Sequence, residues 1–378
     1  MKPSRAGVRS GVRLVDKTEI LIVGSGPAGL KGALAAAGQG ANVTLVERDP
    51  FLGGQLVKQT HMFFGSKEHY ASERGFKIAE KLGKAVEDNP RIDILKNTTL
   101  LGYYEDGVVS VEKEGLFSTI KPDALILATG AQENTLMFPN CDLPGIYGAG
   151  AVQTLMNVHG ILPGKKVAML GAGNIGVIVS YQLLQAGVEV TAIIEALPHI
   201  GAYHVHASKV RRMGVPIWTS HTVLSAHGRE TLEKIRVAEI DHDFKPLAGT
   251  EIELEVDVLC IAVGLTPLTE ILFQAGCSMV YIPELGGHVP LRDEALETSA
   301  KNIFVAGDVS GIEEASAAMV EGTIAGLTAA HNLGYGRENY DELVQAARLE
   351  LDALRKGPAG EKIRSGLEKL HLGRKEAS

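Results

Sequence analysis

The sequence predicts an α/β fold made of two similar strand–turn–helix–strand units. Two glycine-rich turns, Gly24-Ser25-Gly26-Pro27-Ala28-Gly29 and Gly171-Ala172-Gly173-Asn174-Ile175-Gly176, share one G-x-G-x-x-G pattern. Each follows a short apolar run that reads as a buried strand, at residues 19–23 and 167–170. Each precedes a helix of small or apolar residues and a second strand that ends on an acid, Glu47 or Glu195. A βαβ unit of about 30 residues accounts for each set. Repetition at so long a period is domain duplication, not a solenoid.

In chain order, residues 28–38 form the first helix and 42–47 the second strand. Residues 76–86 read as a helix, 92–101 and 107–111 as strands, and 124–128 as an apolar run that stops at Thr129-Gly130. Two prolines and two glycines in 139–148 mark a domain crossing. The second unit follows, with its helix at 175–186 and its last strand at 189–195. Apolar strands are expected at 256–263 and 302–306, the latter ending at Gly307-Asp308. A helix rich in Ala and Gly spans 313–332. Beyond it, Leu343, Ala347 and Leu351 recur on one helical face, Gly357-Pro358 breaks the helix, and a short helix covers 361–372. This extension packs on its own protomer or meets another chain; the stripe alone does not choose.

The bulk properties suit a multidomain globular chain of 378 residues, 45% of them hydrophobic. The net charge of −8 argues against nucleic acid, whose binders are basic. No apolar run is long enough to be an integral membrane segment. Residues 1–17 lack the apolar core of a signal peptide and read as a solvated tail. Cys141, Cys260 and Cys277 lie far apart, without zinc or iron–sulfur spacing, which fits a reducing, cytoplasmic setting. No metal site is expected. His199, His204 and His206 lack a ligand set.

The turns carry the chemistry. Their glycines allow a tight bend, a close backbone approach to a pyrophosphate, and close helix–strand packing. The helix N-terminus supplies free N–H groups and the positive end of a dipole. An acid about 20 residues on accepts from an adenosine ribose. Glu195 in that position bonds a 2′-hydroxyl and repels a 2′-phosphate, which favours NAD(H) over NADP(H) in the second unit. After Glu47 and Arg48, the pair Gly53-Gly54 with Gln55 either lets the chain pass a flavin or makes a plain turn. Residues 58–65 are rich in aromatic and titratable groups. His61 among them is a candidate proton relay, provided that it titrates near neutrality. A histidine bonded inside a crevice is the plainer reading.

Together these features resemble the pyridine nucleotide-disulphide oxidoreductase superfamily over residues 18–334. Thr129-Gly130 looks like the family's A-T-G segment, Gly264 to Pro267 like its G-x-x-P counterpart, and Gly307-Asp308 like the Gly-Asp that meets the FAD ribityl chain. Gly54-Gln55 resembles the flavin-side loop of the thioredoxin reductase branch. The resemblance implies FAD/NAD(P)-binding Rossmann-like domains, with an NAD domain inserted in a discontinuous FAD domain and a C-terminal helical extension. FAD would be held by Gly24, Gly26, Pro27, Ala28, Gly29, Glu47, Arg48, Gly54, Gln55, Thr129, Gly130, Gly307 and Asp308. The backbone near Glu314 and Ala315 would face the reduced flavin. NAD(H) would be held by Gly171, Gly173, Asn174, Ile175, Gly176, Glu195 and Gly264. The expected boundaries are a tail at 1–17, the FAD domain at 18–140 and 285–335, the NAD(H) domain at 141–284, and the extension at 336–378.

Residues 142–145 and 151–154 look closest to one subgroup, the FAD/NAD subunits of heteromeric amine and amino-acid dehydrogenases. It includes sarcosine oxidase alpha-type, dye-linked proline dehydrogenase, opine oxidase and hydrogen cyanide synthase subunits. That implies, as partner, a second flavoprotein subunit, besides any homo-oligomer. The chain departs from several members in lacking an extra N-terminal domain and a cysteine-rich iron–sulfur segment. It also lacks the cysteine pair of the disulphide reductases. The expected activity is hydride transfer between NAD(H) and flavin in an electron-transfer subunit. Two alternatives stand beside it: a stand-alone NADH-dependent reductase of a small acceptor such as a quinone, and a nucleotide-binding subunit with ADP or ATP in the second site.

Overall fold

The computed structural model describes residues 13–63 and 66–377. The expected tail at 1–12, together with Phe64 and Gly65, lies outside the described residues. Along the chain come β1 (Arg13–Val23), α1 (Pro27–Gly38), β2 (Val43–Val46) and α2 (Gly75–Glu87). Then follow β3 (Ile92–Leu95), β4 (Thr99–Tyr103), β5 (Val109–Lys113), β6 (Leu116–Leu127) and β7 (Ala131–Glu133). Next are β8 (Ile146–Gly148), α3 (Ala149–Asn157), β9 (Lys166–Leu170), α4 (Asn174–Gln185), β10 (Glu189–Ile194) and α5 (His204–Arg212). They are followed by β11 (Ile217–Trp218), β12 (His221–His227), β13 (Lys234–Glu239), β14 (Ile252–Glu255), β15 (Val258–Ile261) and β16 (Leu265–Pro267). The chain closes with α6 (Glu270–Gln274), β17 (Met279–Ile282), β18 (Gly287–Pro290), β19 (Ile303–Val305), α7 (Ala315–Asn332), α8 (Tyr340–Leu354) and α9 (Glu361–Ala377).

The chain divides into two units. The first holds residues up to Leu56, Lys77–Ala131 and everything from Pro267; the second holds Val57–Phe76 and Gln132–Thr266. The first unit is built on a sheet of order β3-β2-β1-β6-β5-β4, with β19 also paired to β6. β3, β2, β1, β6 and β19 run parallel, whereas β5 pairs antiparallel with both β6 and β4. Ile20, Leu21 and Ile22 are fully buried. A parallel strand covered on both faces needs such an unbroken apolar run. The second unit has a parallel sheet of order β11-β10-β9-β15-β8 and a three-stranded antiparallel sheet, β12-β13-β14. Its core gathers Val167, Met169, Val177, Leu183 and Ile193.

Several expectations are corrected. Strand β1 begins at Arg13, because its ladder with β6 already pairs Arg13 with Ser118, so residues 13–17 are not tail. The single strand expected at 92–101 is two, since Asn97 turns the chain at φ 53°. Helix α7 begins at Ala315, not at residue 313. The division between the units also differs from the crossing expected at 139–148. Leu136 and Phe138 pack with Ala168, Leu170 and Ile235 in the second unit. Leu272 and Cys277 pack with Leu21, Val23 and Val109 in the first. In the C-terminal extension, Val344, Ala347 and Leu351 are the buried stripe. Leu370 of α9 joins Ile282, Leu285 and Val289. Both helices therefore pack on the first unit.

Candidate functional site

In the first unit the chain leaves β1 at Gly24, whose φ of 98° suits glycine. A Cβ there would meet the Ala128 carbonyl oxygen at 2.4 Å, and one on Gly29 would meet the Gly24 oxygen at 1.8 Å. These glycines let β1, α1 and the end of β6 touch backbone to backbone. Gly26 differs: it has the extended backbone of an N-cap, and a Cβ on it would have nothing within 4 Å. The open glycine stands before Pro27 and Ala28, at an N-terminus with no side-chain cap and no acid in its first turn. Such unpartnered N–H groups suit a phosphate. Around them, a Cβ on Gly54 would lie 2.7 Å from Gly26 Cα, and one on Gly307 would lie 3.0 Å from Ala28 Cβ. Gly53 N donates to Ser25 O at 3.0 Å. The Gly53-Gly54 pair is thus seated on the Gly24–Gly29 turn and is no isolated bend.

Glu47 is buried at the end of β2. Its Oε2 accepts Ser25 N at 2.8 Å and Ser25 Oγ at 2.5 Å, and its Oε1 accepts Asp49 N at 2.9 Å. Arg48 and Gln55 are exposed. Beyond β6, Thr129 Oγ1 donates to Leu268 O at 2.9 Å, and Gly130 O accepts Leu268 N at 3.0 Å. Asp308 follows Gly307 after β19. Burial, ahead of the charges of Glu321 and Glu313, pushes its carboxyl up to about 6. Glu314 is the N-cap of α7 and Ala315 its first residue.

The second unit repeats the first turn. Gly171 has φ 109°, and a Cβ on it would meet Ala262 O at 2.2 Å; one on Gly176 would meet Gly171 O at 2.1 Å, and one on Gly173 would meet nothing within 4 Å. Glu195 Oε2 accepts Ala172 N at 2.7 Å and Oε1 accepts Leu197 N at 2.9 Å. Asn174 Oδ1 accepts Tyr203 N at 2.9 Å, which ties the loop before α5 to the turn. Ile175 projects outward, partly exposed. Gly264 O accepts Asn134 N at 3.0 Å, beside an open hollow of about 590 Å³ lined in part by Gln132, Asn134, Val263 and Thr266.

His61 lies in this unit, stacked on Phe63 at 5.8 Å and edge-on to His206 at 6.2 Å. Burial, then the charges of His206 and Lys209, push its imidazole down to about 4. The ring is neutral at pH 7. The near-neutral titration that made it a relay candidate is absent, because no carboxylate offsets the loss of water. Among the described residues no group of three His, Cys, Asp or Glu could hold a metal ion, and no helix is long and apolar enough to cross a membrane. The three cysteines are free, and burial pushes the Cys260 thiol far up.

Sequence reasoning missed two features. Glu133 caps α3, taking Gly150 N at 2.6 Å and Ala151 N at 3.2 Å, while Lys58 Nζ donates to Gly150 O at 3.1 Å. In the first unit, Glu321 is buried in the middle of α7 and bound to Arg292 and Arg355. A lone acid in an Ala- and Gly-rich helix was the available signal, since a buried charge is rarely left unpaired.

A family model described as pyridine nucleotide-disulphide oxidoreductase matches residues 18–322. An opine oxidase subunit from Agrobacterium tumefaciens (strain Ach5) is 27% identical, over 85% of this chain and 67% of its own. The alpha subunit of sarcosine oxidase from Rhizobium meliloti (strain 1021) is 27% identical over 84% of this chain, but over only 31% of its own. Among solved structures, L-proline dehydrogenase from P. horikoshii superposes with a TM-score of 0.65 at 25% identity, covering 88% of this chain and 60% of that one. The chain thus spans between about a third and two thirds of the length of these relatives.

Proposed function

The chain belongs to the pyridine nucleotide-disulphide oxidoreductase family, and from that premise we propose that it binds FAD in the first unit and NAD(H) in the second. Hydride would pass between them, with the chain serving as the electron-transfer subunit of a heteromeric amine or amino-acid dehydrogenase. The observation that carries this reading is the duplication of one device: an open glycine before an uncapped helix, with a buried acid holding the turn. The device fits the adenosine diphosphate half of a dinucleotide. The open glycine leaves room for a pyrophosphate, and Oε1 of Glu47 and both carboxylate oxygens of Glu195 keep acceptor capacity for a ribose hydroxyl.

When bound, the flavin supplies hydride acceptance and donation, which no side chain can provide. The protein's part is binding and orientation. The N-terminus of α1 holds phosphate charge, and Glu47 orients the adenosine ribose. Gly307 and Asp308 engage the ribityl chain, with Thr129 and Gly130 nearby. The N-terminus of α7, at Glu314 and Ala315, favours negative charge on the reduced ring. In the second unit the N-terminus of α4 and Glu195 hold NAD(H). Gly264 borders the hollow available to the nicotinamide half. The wide sequence separation of Cys141, Cys260 and Cys277, with no closely spaced cysteine pair, supports a route without a redox-active disulphide.

The partner reading draws on the relatives: two of them are subunits by name. The test is purification from the native cell, extraction of bound cofactor, and anaerobic addition of NADH. The expected result is bound FAD bleached by NADH and a second flavoprotein in stoichiometric amount. Bleaching by NADH with rapid turnover of a quinone and no partner would support the stand-alone reductase instead. Bound FAD that NADH leaves oxidised, with ADP binding as tightly as NADH, would support the nucleotide-binding role.

A further inference from the structure

The C-terminal extension reaches into the first unit through one side chain. Arg355 is the C-cap of α8 and only 9% exposed. Its Nη2 donates to Glu321 Oε1 at 2.7 Å and to Glu313 Oε2 at 2.7 Å, and its Nε donates to both Glu313 oxygens at 3.0 and 3.1 Å. Arg292 Nη2 adds a second donor to Glu321 Oε1 at 3.2 Å. The other oxygen of Glu321 faces the loop after β19. It accepts Gly307 N at 2.9 Å and Ser310 Oγ at 2.7 Å. Asp308 sits between those two anchors, and Glu313 N points back to Asp308 Oδ1 at 3.5 Å.

We propose that Arg355 is a positioning residue for the flavin: through Glu321 it fixes the Gly307–Ser310 loop, and through Glu313 the approach to α7, so that the C-terminal extension is part of the cofactor site. The inference rests on FAD binding in the first unit. Two buried guanidiniums stand against Glu321, Glu313 and Asp308. Without Arg355, Arg292 alone would face these three carboxylates, an uncompensated charge in a dry place. The loop would lose its brace. The excess negative charge would also oppose electron uptake by a neighbouring flavin. A lysine would keep the charge but cannot fork to both acids.

The experiment compares Arg355→Met, Arg355→Lys and Leu351→Ala. Leu351 is buried on the same helix and its apolar side chain forms none of these ion pairs or hydrogen bonds, so it controls for loosened packing. Each variant is read by FAD titration of the apoprotein and by the flavin midpoint potential. Arg355→Met is expected to raise the FAD dissociation constant about tenfold, the cost of about one charged hydrogen bond, and to make the potential more negative. Arg355→Lys should recover the potential and only part of the affinity. Leu351→Ala should lower the melting temperature and move neither reading. Unchanged affinity and potential in Arg355→Met would overturn the proposal. Hydrogen exchange on the wild-type chain needs no variant to fold: FAD should slow exchange both at 305–311 and at 344–355. Slowing at 305–311 alone would overturn the proposal too. A wild-type chain that binds no FAD would instead overturn the flavin reading itself.

Discussion

Glu195 accepts the Ala172 amide at 2.7 Å, across the turn that separates β9 from α4. The carboxylate has two tasks, because its other oxygen holds Leu197 N at 2.9 Å and so sets the chain as it leaves β10. One lone pair on each oxygen remains for a ribose diol. Glutamine can accept with one atom only. Glu195→Gln is therefore expected to raise the NADH dissociation constant about tenfold and to leave FAD binding unchanged. Calorimetric titration of both nucleotides checks it. The wild-type chain should bind NADH more tightly than NADPH, since a 2′-phosphate would meet the buried carboxylate. Equal affinities would remove the basis for choosing NAD(H).

The glycines of each turn separate folding from binding. A methyl group on Gly29 would lie 1.8 Å from the Gly24 carbonyl oxygen, whereas one on Gly26 has open space and an extended backbone that alanine adopts freely. Gly29→Ala should destabilise the apoprotein by about 3 kcal/mol or more. Gly26→Ala should melt as the wild type does, yet bind FAD at least about tenfold more weakly, because the methyl occupies the pyrophosphate's approach. Gly173→Ala and Gly176→Ala should repeat the contrast for NADH. Thermal melts with and without each nucleotide test all four variants. A Gly26→Ala protein with full FAD affinity would place the phosphates elsewhere.

These turns were legible because their signal is local: four residue types, one acid and two strands within a short stretch. The glycines at 53 and 54 were half legible, since only the fold shows Gly54 against Gly26. The rest is non-local. Arg355 and Glu321 are 34 residues apart on different helices, and no periodicity links them. Residues 92–101 read as one strand until the φ of Asn97 is known, although β3 and β4 lie at opposite edges of the sheet. The hairpin strands of 221–255 were unread, with polar and charged residues on their open edge. The unit boundary near Ala131 was hidden for a similar reason: Leu136 and Phe138 look like linker until their partners in the second unit are seen.

His61 gives a pH prediction. Its folded imidazole titrates near 4, against 6.5 for the free ring, so the unfolded chain binds the proton more tightly. Between those values unfolding takes up a proton, and stability falls as pH drops through that window. His206, also lowered by burial, adds in the same direction. Above pH 6.5 both rings are neutral in either state and the effect vanishes. His61→Gln should therefore flatten the loss of stability between pH 6.5 and 4, measured by urea unfolding at a series of pH values. It should leave the pH profile of flavin reduction unchanged between pH 7 and 8. A profile that shifts in that range would restore the proton-relay role.

The packing of α1 on α7 gives the last prediction, because it decides how firmly the first turn is held. Here helix backbones meet without intervening side chains. A Cβ on Gly322 would lie 2.0 Å from the Ala28 carbonyl oxygen, and one on Gly326 would lie 2.3 Å from that of Gly32. Backbone cannot step aside as a long side chain can, so a methyl group at either position must push the helices apart. Overpacking of this kind costs about 1–3 kcal/mol, and the loss of close contact along two helices places these variants at the upper end. Ala28 also belongs to the turn proposed to hold the phosphate, so Gly322→Ala should weaken FAD binding along with stability, whereas Gly326→Ala, one helical turn further on, should mainly lower stability. Gly38, at the far end of α1, has nothing within 4 Å of its Cβ position. Gly38→Ala is expected to have the opposite sign, a gain of about 0.5–1 kcal/mol from reduced freedom in the unfolded chain. Chemical denaturation of the three apoproteins, followed by FAD titration, tests the ordering. Equal stabilities for Gly322→Ala and Gly38→Ala would mean that the helices do not meet at this distance.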